Sequence, residues 1–283
     1  MNYPELVPLF ETIIREFELK GKLVNITCVS AGNINDTYVA ATDYYGSERQ
    51  YIVQRINHKV FTSPNNVARN VCAVTDYVEK KMRSLGVPDY RRKVMKYYRM
   101  DDGRYYYITP EGTYWRVLSY VYGSTNTNTV DANLLKSAGK GFGEFQNYLS
   151  DFPAECLVET IPDFHNTKKR YKTLIESAEK NTAGRLDEVR EEYEYLLSMR
   201  KKAEYLCELH DSGLLPYRVV HNDTKCNNVM FDIETGANLA VIDLDTVMPG
   251  LVAYDFGDAV RFAANPGGED NENLGEIYLD IEY

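Results

Sequence analysis

Little in this chain is set aside for metals, disulfides or membranes. Its five cysteines (Cys28, Cys72, Cys156, Cys207, Cys226) are odd in number, scattered, and include no C-x-x-C pair. That excludes a disulfide-framed secreted scaffold and fits reduced thiols in a cytoplasm. Four dispersed histidines give no zinc spacing. No stretch approaches the about 18 apolar residues of a membrane span, and no apolar N-terminal run precedes a cleavage site. Positive charge is short as well: 32 Lys and Arg against 42 Asp and Glu leave a formal charge of −10. That balance argues against a nucleic acid or an anionic membrane as partner. Basic runs such as Arg91-Arg92-Lys93 sit among acidic residues and read as solvated faces. What remains is a 283-residue chain with 44% hydrophobic residues, enough for one large domain or two lobes.

Polar residues that carry chemistry concentrate between Val219 and Pro249. His221, Asn222 and Asp223 come first, with Asn228 five residues after Asp223; Asp243 and Asp245 follow the apolar run Ala240-Val241-Ile242. The stretch between them, with a turn at Glu234-Thr235-Gly236, reads as loop, strand, turn, strand. Such a hairpin holds Asn228 and Asp243 together at one end, with Asp223 on the loop before them. Phosphoryl transfer needs this set: one carboxylate to orient a hydroxyl and take its proton, and an amide oxygen with a second carboxylate to hold magnesium on the phosphates. Asp223 is the expected catalytic base and substrate contact, and Asn228 and Asp243 are the expected metal ligands. Magnesium takes few protein ligands, all oxygen. The bland alternative is a polar loop followed by an Asp-capped turn.

The segments HNDTKCNN and VIDLDTVMPGLVAYDFGD resemble the aminoglycoside-phosphotransferase-like kinases and, more narrowly, the bacterial N-acetylhexosamine 1-kinases. SAGNINDTY, YIVQRIN, YWRVLSYV and IPDFHNTKKRY extend the likeness over nearly the whole chain. The resemblance implies an α+β, bilobal, protein-kinase-like fold, with a small antiparallel-sheet N-lobe and a mainly helical C-lobe. It implies ATP and Mg2+ as cofactors, and a sugar substrate phosphorylated at its anomeric hydroxyl, as monomer or weak homodimer. Another small alcohol (an aminoglycoside, choline, homoserine) is the alternative acceptor, and a catalytically impaired binding module the alternative class.

In chain order, residues 4–18 have helical apolar spacing. A strand at 25–29, a polar turn and a strand at 37–41 would lay backbone amides over ATP phosphates. Gly32, Asn33 and Asn35 in that turn are the nucleotide-binding candidates, and Asn33 could also reach the sugar. The strand Gln50–Ile56 should match the lysine-bearing strand of kinases but has no lysine. Arg55 is the candidate cation on the phosphates, with Gln54 in a nearly equivalent register. A helix from Pro64 to about Leu85 stacks Val67, Val71, Val74 and Val78 on one face. Its partner for the phosphate-binding residue cannot be assigned. Strands at 94–98, 105–108 and 114–121 complete a small sheet.

The N-lobe is expected to span 1–118 and the hinge 119–124, where Ser119 and Val121 would meet the adenine; the C-lobe takes 125–283. Helical register carries through Gly139-Lys140-Gly141-Phe142-Gly143, which reads as close helix packing rather than a nucleotide loop. The pattern at 186–210 predicts a long amphipathic helix with Leu186, Val189, Tyr193, Leu196, Leu197 and Leu206 inside. Asp255-Phe256-Gly257 imitates a kinase metal triplet but comes after the motif strand. Asp255 and Asp258 are expected to cap a helix and brace the catalytic loop through His221 or a backbone amide. Asp245 is left as outer support or a second metal contact. Members of the resembled family continue with C-terminal helices that wall the sugar pocket, so this chain is expected to be C-terminally truncated.

Overall fold

A computed structural model describes residues 3–31, 34–127, 132–265, 267–269 and 271–280. A short helix, α1 (Val7–Glu16), leads into β1 (Lys22–Ala31), β2 (Asp36–Tyr44) and β3 (Ser47–Ile56). After α2 (Pro64–Ser84) come β4 (Tyr107–Ile108) and β5 (Tyr114–Ser119). These strands form an antiparallel sheet in the order β1-β2-β3-β5-β4. The β1–β2 and β2–β3 connections are hairpins, so register is local. Tyr44 and Ser47 close the second around Gly46, whose φ of 80° suits glycine. The strand expected at 94–98 is reduced to a single bridge, Tyr97 to Leu118, flanked by Tyr98 N to Val117 O at 2.9 Å and Ser119 N to Lys96 O at 2.8 Å.

One face of this sheet packs on α1. Phe10 and Ile13 are fully buried against Ile26, Val53, Trp115 and Val117. The other face looks toward the remainder of the molecule. Strand alternation therefore sorts β3 and β5: Tyr51, Val53, Trp115 and Val117 point to α1, and Gln54, Arg116 and Leu118 to the opposite side.

β6 (Ser124–Thr125) crosses to the second lobe, pairing with Phe231 and Asp232. There follow α3 (Ala132–Tyr148), α4 (Thr167–Lys180), α5 (Arg190–Asp211), β7 (Arg218–Val220), β8 (Val229–Asp232), β9 (Asn238–Val241), β10 (Met248–Gly250) and α6 (Val252–Ala263). The glycine-rich stretch lies inside α3. A Cβ on Gly141 would come within 3.3 Å of Asn238 Cβ, so the glycine allows close approach of helix and hairpin. Phe142 and Ala138 of α3 cover Val229 and Phe231 of β8, which seats the hairpin. A second cluster joins the lobes. The valine face of α2 (Val67, Val71, Val74, Val78) meets Phe145 and Leu149 of α3 and Leu244 and Val247 after β9.

The helix expected at 186–210 differs in two respects. It opens with a 3-10 turn, Leu186–Val189, before α5. Its apolar stripe is also only partly covered: Val189 and Leu196 are exposed, Leu186, Tyr193, Leu197 and Leu206 are half-buried, and Glu204 is the one buried residue of α5. Periodicity marked a face correctly but says nothing of what lies over it. No helix of the described residues is long and apolar enough to cross a membrane.

Phe10 anchors α1 with no exposed surface and edge-on contacts to Tyr38 and Trp115. Phe10→Ala is expected to cost about 3–5 kcal/mol of unfolding free energy, measured by urea denaturation with unchanged slope.

Candidate active site

The catalytic loop between β7 and β8 is held by buried groups rather than by regular structure. Asn222 has a left-handed backbone, φ 68°, a conformation Asn tolerates better than most residues. Asp255, in the first turn of α6, accepts the amide of His221 with Oδ2 at 2.9 Å and that of Asn222 with Oδ1 at 2.8 Å. Thr224 N donates to Asp258 Oδ2 at 2.7 Å. These two aspartates thus hold three successive parts of the loop. Burial raises the Asp255 carboxyl above its ordinary range, against the lowering effect of His221 and the two amides. The His221 ring is fully buried. Its Nδ1 accepts from Asp223 N at 3.2 Å, so Nε2 carries the proton and donates to Ile242 O at 2.9 Å. The histidine is a strut between the loop and the strand end.

Asp223 is brought to Asn228 as the spacing suggested. Asn228 Nδ2 donates to Asp223 Oδ2 at 2.9 Å and to Asp223 O at 2.8 Å, which leaves the Asn228 carbonyl oxygen for another partner. Ile242 N donates to Asn228 O at 2.9 Å and Val229 pairs with Val241, so Asp243 follows at the same end of the hairpin. Asp243 itself is left-handed, φ 56°. It is open to the cleft, and its carboxylate makes no hydrogen bond or ion pair among the described residues. Enough protein nevertheless surrounds it that desolvation, with Asp245 and Asp223 adding negative charge, pushes its carboxyl up to about 6; Arg116 acts in the opposite direction. An unpartnered oxygen anion beside an amide oxygen suits a hard cation. No group of three or more His, Cys, Asp or Glu side chains that could hold a metal occurs among the described residues. Any ion here would therefore take most of its ligands from water and phosphate.

Several expected site residues are placed elsewhere. Arg55 lies on the α1 face of β3, 52% exposed, against its cross-strand neighbour Asp36 at 3.4 Å. Strand alternation turns its side chain to the face opposite Gln54. Gln54 faces the cleft side but spends its amide on Thr37 Oγ1 and on Arg116 Nε, both at 2.9 Å. Asn35 likewise uses both ends of its amide, donating to Asp245 Oδ2 at 2.9 Å and accepting from Asn57 N at 3.0 Å; it links segments and is not free for a nucleotide. Asp245 is buried. It takes a two-pronged contact from Arg116, at 2.6 and 2.8 Å, and a hydrogen bond from Tyr97 at 3.0 Å. Ser119 engages Lys96 through both its amide and its hydroxyl, and Val121 O accepts from Ser124 Oγ at 2.6 Å. Gly32 and Asn33 lie outside the described residues.

Three residues given no role by the sequence reading belong to this region. Lys225 Nζ stands 3.6 Å from Asp223 Oδ1 and 2.9 Å from Glu269. It sits two places after the base, inside the quoted motif, and its positive charge was the available signal. Arg116 lay in the quoted stretch YWRVLSYV, where nothing local marks its partner. His165, in the quoted stretch IPDFHNTKKRY, meets Asn222 O through Nε2 at 3.1 Å.

The sequence matches the phosphotransferase enzyme family, APH, over residues 25–283. The chain belongs to that family. Solved structures of similar fold include choline kinase from Cryptosporidium parvum Iowa II, at 14% identity and a TM-score of 0.55, covering 97% of this chain and 74% of that one. Spectinomycin phosphotransferase APH(9)-Ia, in complex with ADP and spectinomycin, aligns at 13% identity and a TM-score of 0.53 over 95% and 80% of the two chains. Plasmodium vivax ethanolamine kinase aligns at 13% identity and 0.50, over 99% and 72%. These likenesses establish the bilobal, kinase-like fold of this family member: antiparallel sheet in one lobe, mainly helices in the other.

The Asp243 carboxyl, raised from 3.8 to about 6, favours the folded state when protonated, and that contribution is lost as pH rises through about 6. In metal-free buffer, Asp243→Asn should therefore melt above the wild type at pH 8, and the gap should close toward pH 4. Thermal unfolding across that range checks it. A variant that melts lower at pH 8 would mean the carboxylate has a stabilising partner.

Proposed function

We propose that this family member transfers the γ-phosphoryl group of ATP to a small alcohol, and that its acceptor is the anomeric hydroxyl of an N-acetylhexosamine. The observation that carries the kinase reading is the Asp223–Asn228 hydrogen bond at 2.9 Å with unpartnered Asp243 at the same hairpin end. Asp223 orients the acceptor hydroxyl and takes its proton. Asn228, through its free carbonyl oxygen, and Asp243 would hold magnesium, which when bound neutralises charge on the phosphates. Lys225 supplies a cation beside the base in place of the strand lysine; its pairing with Glu269 and Asp223 outweighs the cost of burying it and keeps it charged. The Val121 region is the proposed adenine contact. Rate enhancement on this reading comes from positioning and electrostatics rather than covalent chemistry.

A cavity of about 670 Å³ between α4, α5 and the segment 248–254 reaches the catalytic loop at Asn222. Its walls include His165, Tyr217 and Tyr254 beside Glu159, Asp163 and Asp211. Aromatic faces suit the C–H faces of a sugar ring, and carboxylates accept its hydroxyls. Asp163 and Asp211 are already paired with Lys169 and Lys168. That neutralisation supports an uncharged acceptor over a cationic one such as choline or an aminoglycoside.

Magnesium-dependent ATP consumption should be confined to N-acetylglucosamine and N-acetylgalactosamine in a panel with glucose, choline, homoserine and an aminoglycoside, and the product should be an acid-labile sugar 1-phosphate. Asp223→Asn should lower turnover at least about 100-fold with nucleotide affinity retained. Turnover of a cationic alcohol instead would overturn the acceptor assignment, and near-wild-type turnover by Asp223→Asn would overturn the base assignment.

A further inference from the structure

Arg116 and Asp245 face each other from the two lobes, 129 positions apart in sequence, with side chains only 3% and 4% exposed. Every acceptor direction of the Asp245 carboxylate is taken. Oδ1 receives Tyr97 and one guanidinium nitrogen; Oδ2 receives the other and Asn35. Four of the five N–H groups of the Arg116 guanidinium are engaged as well, since its Nε goes to Gln54 and one terminal nitrogen also reaches Tyr97. The carboxylate has no acceptor direction left for a metal. The backbone of the same stretch is fixed separately: Thr160 Oγ1 donates to Asp245 O at 3.2 Å, and Asn70 of α2 donates to Val247 O at 2.9 Å.

Protein kinases couple their lobes to the phosphate site through a lysine on β3 paired with a glutamate on the following helix. Here β3 carries no lysine, Gln54 lies on its cleft-facing side, and the acidic residues of α2, Asp76 and Glu79, pair with Lys96. Arg116 lies directly across from Gln54 on the neighbouring strand. Its partner is two residues past Asp243.

We propose that Arg116 and Asp245 form a clamp that replaces that lysine–glutamate pair: Asp245 is withheld from the metal and, with Arg116, is a positioning residue that sets the N-lobe sheet against the Asp223, Asn228 and Asp243 cluster. The clamp ties the cleft-facing strand to the turn that carries Asp243. Loosening it separates the lobes and lets that turn shift, whether or not an ion is bound. Its catalytic consequence rests on the kinase reading above; its effect on lobe coupling does not.

The test compares Arg116→Lys, Asp245→Asn, the double variant and Tyr97→Phe with the wild type. Hydrogen exchange is followed in ligand-free protein, and calorimetry measures ADP affinity with and without magnesium. A clamp predicts faster exchange in β3, β5 and 244–248 for each single variant before any ligand is added. It also predicts ADP affinity weakened about tenfold by Arg116→Lys and by Asp245→Asn, by the same factor with and without magnesium. The double variant should be no worse than the worse single one. Tyr97→Phe, which removes one hydrogen bond and keeps the ion pair, should show a smaller change of the same sign, and it carries the test if the charge variants do not fold. Unchanged ligand-free exchange, with ADP affinity lost in Asp245→Asn only when magnesium is present, would overturn the proposal and make Asp245 a metal ligand. Failure of the wild type to bind ADP would count against the kinase reading, while the exchange measurements would still decide the clamp.

Discussion

The ion pair between Arg116 and Asp245 is the contact on which the arrangement of the cleft depends. Two charges removed from water are expensive, and their attraction compensates only when geometry is good and the remaining hydrogen-bonding positions are filled. Here they are filled, by Tyr97, Asn35 and Gln54. Removing one partner of such a pair typically costs about 3–5 kcal/mol, because the other is stranded. That asymmetry makes the pair a poor general stabiliser and a good register device. The sheet has one seat on the second lobe in which all these groups are satisfied, and any slide leaves a buried charge exposed to apolar surroundings. The valine face of α2 supplies non-directional adhesion between the lobes; the ion pair selects the alignment.

A second constraint acts inside the C-lobe. A loop that must aim Asp223 cannot rely on strand or helix hydrogen bonds, so its amides are taken up by side chains. Asp255 and Asp258 do this from α6, and His221 passes the constraint on to Ile242 beside Asp243. Asp223, Asn228 and Asp243 thereby share one support. Asp243 alone is left without compensation, an anion at the mouth of an otherwise satisfied network. A site built this way has its electrostatic deficit concentrated where a cation would add most.

The juxtaposition of the candidate site residues was legible in the sequence where their geometry is local. Asp223 and Asn228 are five residues apart on one loop, and the hairpin that brings Asp243 to them spans only a turn, so spacing and strand register suffice. Of the roles expected for Asp255 and Asp258, bracing of the loop amides is seen, whereas neither caps α6, whose N-cap is Leu251 without a side-chain hydrogen bond. The direction of Arg55 was not legible, because one strand read alone gives the alternation but not which face meets the cleft; α1 decides that, and it lies far upstream. Arg116 could not be found by spacing at all, since its partner is a hundred residues and a whole lobe away. Asn35 was read as a phosphate contact for the same reason: its two partners, Asp245 and Asn57, are set by tertiary structure. The apolar stripe at 186–210 shows the converse error, a true periodicity whose covering surface was assumed.

Taken together, the loss of the strand lysine and the presence of Arg116 and Lys225 describe a redistribution of positive charge. In a kinase with a β3 lysine, one ammonium both meets the phosphates and couples the lobes. Here those duties fall on separate residues. Arg116 carries the coupling, and a planar fork is the better tool for it, since two parallel contacts fix an angle that a point charge cannot. Lys225 stands beside the proposed base, a flexible ammonium shared between Glu269 and Asp223. Splitting the tasks frees Gln54 to be neutral. It also requires one change elsewhere: the acidic partner of the coupling residue moves from α2 to the strand end that carries Asp243. The aspartate two residues beyond the metal candidate is thus the acidic partner that Arg116 meets across the lobes, where α2 offers none.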